Sequence, residues 1–343
     1  MSSQMVDVRS DTVTRPTPAM LQAMMEAPVG DDVLGEDETV NTLQREAAEL
    51  FGKEAALFCP SGTMTNQIGI RVHTRPGDEV ICHELAHIYL YEGGGIASNS
   101  GSSVRLLRGG NGRFTAQQVK ESVNRRDDAH LPWTRVVAIE DTVNKGGGCC
   151  WELSEIERIG AVCAENGLAL HLDGARLFNA LIARKESPGD YGRLFDTISV
   201  CLSKGLGAPA GSLLLGSREQ IARGVRHRKV MGGGMRQAGY LAAAGRYALQ
   251  HHVARLAEDH ARAKLLEKEL RALPYVESVL PVETNIVILN LNDSVSAETF
   301  LAKLRDRGVL ASQMGPRAIR FVFHLDVSDT QVEQLFRALR GIS

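Results

Sequence analysis

The chain has 343 residues, with 39 Lys and Arg against 41 Asp and Glu and a formal charge of −2, a near-balance that leaves no electrostatic footprint for nucleic acid or an anionic membrane. Hydrophobic residues make up 43% and charged residues 23%, the mix of a globular protein of about two domains, which argues against collagen, long coiled coil and disorder. No apolar run reaches the roughly 18 residues of a membrane helix, Met1 to Asp11 holds no apolar signal-peptide core, and six cysteines without a Cys-x-x-Cys pair suit a reducing compartment, so a cytoplasmic location is expected.

In chain order, Asn41 to Phe51 carries apolar residues at helical spacing. Ala55 to Cys59 reads as a strand, and Pro60-Ser-Gly-Thr63 then opens a helix through Met64 to Val72. Further strands are expected at 79–82, 103–107, 135–139, 168–172, 197–202 and 212–215, with a helix over 153–165. Several of these strands are apolar on both parities, as in a sheet covered on both faces. Strand–helix alternation implies an α/β architecture with a mostly parallel, seven-stranded sheet. The segment 237–273 reads as one long Ala/Leu/Arg-rich helical region, ended by Pro274. Strand 285–291, helix 297–307, strand 318–323 and helix 330–339 then suggest a smaller α+β domain.

Glycine is abundant, 34 residues against 11 prolines, and forms triplets at 93–95, 146–148 and 232–234. Three triplets in one chain point to ligand-shaping loops, because glycine lets backbone approach a ligand closely.

Two short motifs match patterns in poor context. His83-Glu84-Leu85-Ala86-His87 fits the zinc-peptidase helix, but it would start directly after a strand and run into Gly93. Gly205-Leu-Gly-Ala-Pro-Ala210 fits a dinucleotide fingerprint, but Pro209, Gly211 and a strand follow where the helix should open. No metal site is expected.

The stronger constellation lies at strand ends, where α/β sheets bind ligands. His171-Leu-Asp173-Gly-Ala-Arg176 follows one strand, and Ser203-Lys204 follows another, 31 residues from Asp173 to Lys204. An Asp and a Lys so placed suit pyridoxal 5'-phosphate: the lysine takes the aldehyde and the aspartate keeps the pyridine nitrogen protonated. Gly62 and Thr63, at a helix start after a strand, suit its phosphate.

These blocks carry a resemblance. Together with Asp7-Val-Arg-Ser-Asp-Thr-Val-Thr14, Val29-Gly-Asp-Asp-Val33, Cys201-Leu-Ser-Lys-Gly-Leu-Gly207 and Gly232-Gly-Gly-Met-Arg-Gln237, they make the chain resemble, nearly end to end, the low-specificity L-threonine aldolases. The resemblance implies the aspartate-aminotransferase-like fold, the type I fold of pyridoxal phosphate-dependent transferases. With it goes an arm over 1–14, a large cofactor-binding domain over 15–245 and a small domain over 246–343. It also implies a homotetramer with active sites at a dimer interface. Lys204 would take the cofactor aldehyde, Asp173 would pair with the ring nitrogen, and His87 would stack on the ring. Gly62, Thr63 and Ser203 would hold the phosphate, with Arg236 reaching it from a neighbouring subunit. Arg176 also borders the cofactor, and Ser10, Arg176 and Arg320 would grip the substrate carboxylate.

One position departs from the family. It usually has Glu-Asn-Thr-His-Asn where this chain has Glu140-Asp-Thr-Val-Asn144. Val143, in place of the histidine, is expected to line the substrate pocket beside the β-carbon. His87, or a water held by Glu92 or His87, is then left as the base. The implied reaction is retro-aldol cleavage of L-threonine, L-allo-threonine and related β-hydroxy-α-amino acids to glycine and an aldehyde, part of threonine catabolism and glycine biosynthesis. Alternatives are a β-eliminating lyase or racemase on the same fold, and, more remotely, the zinc peptidase.

Overall fold

The computed structural model describes residues 5–342; residues 1–4 of the expected arm lie outside the described residues. After the two-residue strand β1 (Val6–Asp7), seven strands build the main sheet. They are β2 (Ala55–Cys59), β3 (Glu79–His83), β4 (Ser103–Leu107), β5 (Thr134–Glu140), β6 (Ala169–Gly174), β7 (Thr197–Cys201) and β8 (Ser212–Gly216). Their order is β2-β8-β7-β6-β5-β3-β4. All pairs are parallel except those of β8, which is antiparallel to both neighbours. Only residues 202–211 join β7 to β8, too few for the crossover that parallel pairing needs.

Helices cover both faces of this sheet. In chain order they are α1 (Pro18–Met25), α2 (Glu38–Phe51), α3 (Gly62–Arg71), the short α4 (His87–Leu90), α5 (Ala116–Ser122), α6 (Leu153–Asn166), α7 (Leu177–Arg184), α8 (Pro188–Leu194) and α9 (Arg218–Val230). Helix α2 starts three residues before the position the apolar spacing suggests, because Asp37 caps it by accepting the Val40 N–H at 3.0 Å. It stops at Gly52, whose φ of 62° closes the C-terminus without a Cβ penalty.

The expected helical region over 237–273 is two helices, α10 (Gly239–His251) and α11 (Leu256–Leu270). The break lets the chain change cores. Ala242, Ala244 and Ala248 pack into the main core, whereas Ala263, Leu266 and Leu270 pack into a second one. At the break, His252 Nδ1 bonds the Leu206 carbonyl oxygen at 2.7 Å, anchoring it beside the loop that follows β7.

The second core lies under β9 (Val276–Val279), β10 (Ile286–Leu291), α12 (Ala297–Asp306), β11 (Val309–Leu310), β12 (Ser312–Gln313), β13 (Ala318–Val322) and α13 (Asp329–Arg340). Four of these strands form an antiparallel sheet in the order β12-β13-β10-β9. Strand β1 pairs in parallel with β11, and the Val322 N–H donates to the Val8 carbonyl at 2.8 Å. The first described residues thus cross this second unit before entering the main one. Strands β9, β11 and β12 carry no clear sequence signal: the latter two have two residues each, and β9 is mostly exposed.

Helix α8 packs its Gly192 against the end of α2. A Cβ there would fall 1.7 Å from the Phe51 carbonyl oxygen, whereas one at Gly160 would meet nothing closer than 3.9 Å. Gly192→Ala is therefore expected to destabilise by about 1–3 kcal/mol or more, because the contact is backbone and cannot swing aside. Gly160→Ala serves as the control. Thermal melting of both variants checks this.

Candidate active site

Parallel pairing of β3, β5, β6 and β7 gathers their carboxyl ends on one edge of the sheet. A cleft of about 360 Å³ opens there. Ser10, His87, Arg176, Lys204 and Arg320 line it, as do Thr12, Tyr91, Asn144, Gln313 and Met314, which the sequence alone did not assign to a site. Larger cavities exist elsewhere, of about 630 and 770 Å³. Neither holds Lys204, Arg176 or Arg320, so chemistry rather than size picks out the cleft.

Lys204 follows β7, and its carbonyl oxygen accepts the Thr14 hydroxyl at 3.1 Å. Its Nζ makes no hydrogen bond or ion pair among the described residues. Asp173 sits on β6, 1% exposed; Oδ1 accepts the Ala175 N–H at 3.2 Å, while Oδ2 has no partner. An unpaired buried carboxylate oxygen is costly, and a protonated ring nitrogen would satisfy it. His87 opens α4, and its Nδ1 lies 3.1 Å from Glu92 Oε1. Burial works to lower the His87 imidazole, but the Glu92 hydrogen bond and the Asp173 and Glu92 charges outweigh it and raise it. Because Glu92 accepts, Nδ1 carries the proton and Nε2 is left as the acceptor.

Helix α3 starts at Gly62, capped by Ser61, whose hydroxyl accepts the Met64 N–H at 3.3 Å. The Gly62 and Thr63 N–H groups have no partner inside the helix, the usual condition of a first turn. A Cβ at Gly62 would come 2.5 Å from Cys201 Sγ, so only glycine lets this helix start against the end of β7. The Thr65 and Ser199 hydroxyls bond at 2.6 Å, tying α3 to the strand that leads to Lys204. Ser203, next to Lys204 in the chain, is half-buried. Lysine, unpaired aspartate, a half-buried histidine and a free helix start fit pyridoxal phosphate.

Beside them lies a pair of arginines. Arg176 donates from Nε and Nη2 to Asp11 at 2.8 and 2.6 Å, in a pair almost wholly out of water. Burial works to raise the Asp11 carboxyl, but the Arg176 charge and hydrogen bonds hold it at about 2. Two of the five Arg176 N–H donors are thus committed, which leaves the two on Nη1 and the second on Nη2 for a ligand. Arg320 donates to Asn144 Oδ1 at 2.8 Å and to the Arg9 carbonyl at 3.0 Å, and its buried Nε has no partner. Burial and the neighbouring Arg176 charge push it down to about 10. Two cations held side by side favour an anion such as a carboxylate. Ser10 both caps the turn at Asp11–Val13 and faces the cleft.

One sequence expectation changes. Val143 does not line the cleft. It is 1% exposed, its N–H bonds the Cys149 carbonyl at 3.0 Å, and a Cβ at Gly112 would lie 2.4 Å from its Cγ1. The bridge to Cys149 turns its side chain into the core. Arg236 stays outside its own chain's cleft: its side chain is 57% exposed and bonds Asp31 at 2.8 Å. The zinc motif does not lie on one helix: His83 ends β3, with Nδ1 accepting the Leu85 N–H at 3.0 Å, whereas His87 starts α4. His87, Glu92 and Asp173 do bring ligand atoms within 4.8 Å of one another, yet both Glu92 oxygens already accept amides, from Asn66 at 2.9 Å and Gln67 at 2.6 Å.

The glycine triplets have a structural purpose. Gly93 and Gly94 turn with φ of 63° and 71° directly after Glu92, and Gly147 and Gly148 turn with φ of 77° and 73° after Asn144. Of the cleft residues that the sequence did not assign, Tyr91 had a signal: it lies four residues after His87, one helical turn on, and the rings sit 5.6 Å apart.

The family model described as beta-eliminating lyase matches residues 7–294. The chain is 42% identical over 332 residues to a low specificity L-threonine aldolase of Escherichia coli K12, across 96% of this chain and 97% of that one. It is 40% identical over 343 residues to a probable low-specificity L-threonine aldolase of Arabidopsis thaliana, across 98% and 97%. Among solved structures, a Leishmania major threonine aldolase superposes with a TM-score of 0.85 at 23% identity, over 98% of each chain. A Sphingomonas wittichii serine palmitoyltransferase superposes at 0.75 with 16% identity, over 98% of this chain and 86% of that one. These likenesses support the α/β fold expected for the chain.

Replacing Asp11 by asparagine leaves the buried Arg176 charge uncompensated. Asp11→Asn is expected to cost about 3–5 kcal/mol in urea unfolding. The depressed Asp11 value also fixes the sign with pH. The pair's contribution is complete above 3.8 and is lost as pH falls towards about 2. The wild type should therefore lose its stability advantage over Asp11→Asn in that window, and acid titrations of both proteins check it.

Proposed function

The chain belongs to the low-specificity L-threonine aldolases, within the beta-eliminating lyase family, and is a pyridoxal phosphate-dependent lyase; from that premise we propose that it cleaves L-threonine, L-allo-threonine and related L-β-hydroxy-α-amino acids to glycine and an aldehyde. The observation that carries this reading is one cleft that joins an unpaired lysine, Lys204, to the two-arginine clamp of Arg176 and Arg320. Pyridoxal phosphate, when bound, supplies an aldehyde for the substrate amine and a ring that accepts the electrons of the breaking Cα–Cβ bond.

The chain's own residues do the rest. Lys204 would hold the cofactor through its aldehyde. Asp173 Oδ2 would keep the ring nitrogen protonated, and His87 would pack against the ring. The N–H groups of Gly62 and Thr63, with the Thr63 and Ser203 hydroxyls, would hold the cofactor's phosphate. The free Nη1 and Nη2 N–H groups of Arg176, with Arg320 and Ser10, would hold the substrate carboxylate and so set the direction of the Cα–Cβ bond. His87 Nε2, directly or through a water, removes the β-hydroxyl proton, a step worth about 10²–10⁴-fold.

The arrangement of the whole chain belongs to the same proposal. An arm (1–14), a large unit (15–245) and a small unit (246–343) are supported by the two separate cores, with Ala248 and Leu256 still reaching into the main one and Val6 and Val8 of the arm packing into the second. A homotetramer with sites at a dimer interface suits Arg236, which Asp31 holds at the surface, outside its own cleft. The Val29–Val33 segment supports Arg236 from below. Asp32 pairs with buried Arg228 at 2.9 Å, and the Asp32 N–H donates to the Arg236 carbonyl at 3.0 Å. A cytoplasmic site of action suits the six free, buried cysteines.

Incubation with L-threonine is expected to yield glycine and acetaldehyde; ammonia and a keto acid instead would favour β-elimination. Borohydride should fix a pyridoxyl group on the peptide holding Lys204, and Lys204→Ala should abolish both labelling and turnover. Arg236→Ala should weaken cofactor retention, and a fully active monomer by light scattering would overturn the interface role. If His87 is the base, kcat/KM should fall on the acid side with a midpoint above the ordinary imidazole value of 6.5. Glu92→Gln should move that midpoint down, because it removes the partner that raises the imidazole. An unmoved midpoint would assign the base elsewhere.

A further inference from the structure

Glu140 ends β5, beside Asp173 on β6, and is 8% exposed. Each of its carboxylate oxygens has one partner, and the partners belong to different halves of the site. Oε2 accepts the His87 backbone N–H at 2.9 Å. Oε1 accepts the Asn144 backbone N–H at 2.9 Å. His87 covers the cofactor side. Asn144 in turn takes the Arg320 guanidinium at 2.8 Å, on the carboxylate side. The Glu140 backbone is itself pinned, since the Trp151 indole N–H donates to its carbonyl at 2.9 Å. Both segments are short: α4 has four residues, and Asn144 lies in the turn between β5 and Cys149.

We propose that Glu140 is a positioning residue that sets the spacing between the ring-facing histidine and the carboxylate-binding Arg320, through its two backbone hydrogen bonds. The proposal rests on the functional reading given above and deepens it: it names the group that holds the two halves of the substrate site in register. A retro-aldol site depends on that register, because the carboxylate clamp turns the Cα–Cβ bond relative to the ring, and misplacement near 1 Å can cost about 10²-fold.

The location is also expensive, which a mere filler would not tolerate. Burial and the adjacent Asp173 carboxylate push Glu140 up to about 7, opposed by the two N–H groups it accepts. Glutamine would occupy the same volume without charge. Its amide has one accepting oxygen, however, and its NH₂ would face a backbone N–H. It can therefore keep one of the two segments, not both.

The test is a double-mutant cycle read by glycine binding, followed as the absorbance change of the holoenzyme's cofactor. Glu140→Gln is expected to raise the glycine Kd about ten-fold, the loss of one charge-assisted hydrogen bond. In an Arg320→Lys background the same change should raise it less than about three-fold, because the contact through which Glu140 acts is already broken. KM for L-threonine should follow the glycine Kd, with kcat less affected. An unchanged glycine Kd, or equal weakening in both backgrounds, overturns the proposal. A structural role alone would lower the melting temperature while leaving that coupling at zero. Where Glu140→Gln does not fold, Glu140→Asp, whose shorter arm cannot reach both N–H groups, carries the same cycle and the same outcomes. A wild-type holoenzyme that shows no response to glycine overturns the functional reading beneath the proposal instead.

Discussion

The buried ion pair between Asp11 and Arg176 is the interaction on which the rest of the site depends. Its two hydrogen bonds, 2.6 and 2.8 Å, lie almost fully out of water. Removing two charges from water costs several kcal/mol each, and only good geometry offsets this. That geometry needs three parts of the chain at once. Asp11 comes from the first described turn, Arg176 from the loop after β6, and Asn285 from the second unit, its amide 3.5 Å from Asp11 Oδ2 and 3.0 Å from the Phe323 carbonyl. The strand pairing of Val6–Asp7 with Val309–Leu310 delivers Asp11 to its place. The same placement brings Ser10 to the cleft, and Arg320 comes from β13, in the sheet that Val8 joins by its backbone.

Charges of both signs meet at the cleft. Arg176 and Arg320 line it, close enough that the Arg176 charge makes that of Arg320 costlier. Glu140 and Asp173 lie behind it, paired across β5 and β6, and the Glu140 charge favours that of Arg176. The two arginines suit a carboxylate, and the unpaired Asp173 oxygen suits a protonated ring nitrogen. Fixed charges and dipoles of this kind need no reorganisation during reaction, which makes them effective in a water-poor site. Glu92 collects three donors, from Asn66, Gln67 and His87, and so sets the His87 tautomer. Beyond Asn66 the network continues through His171 to Thr197 and His73. Burial keeps His171 near 4, neutral, so it can act as one donor and one acceptor in that chain.

Much of this was legible in the sequence because its determinants are local. Strands β2 and β4 match their expected bounds, and the other main-sheet strands differ by one or two residues at an end. Apolar runs bounded by turn residues depend only on near neighbours. Lys204 and Asp173 were legible for the same reason: each directly follows or ends such a run. The failures share one cause. Whether Val143 faces the cleft depends on its bridge to Cys149 and on Gly112, and no pattern around residue 143 encodes that direction. The split of α10 from α11 follows from a change of core and from His252 meeting Leu206, a contact across 46 positions.

By itself, then, the sequence determined the alternation of strands and helices, the strand-end positions of Asp173 and Lys204, and the glycine-opened helix at Gly62. These follow from hydrophobic periodicity, capping chemistry and the geometry of parallel sheets. Only the tertiary structure decided that Arg176 spends two N–H donors on Asp11, that Asn144 holds Arg320, and that Tyr91 and Met314 border the cleft. The physical reason is separation along the chain. Asp11 and Arg176 are 165 positions apart, and Asn144 and Arg320 are 176 apart. At such distances the partner of a charged group is chosen by which strands pair and which cores close, and no local pattern of residues records that choice.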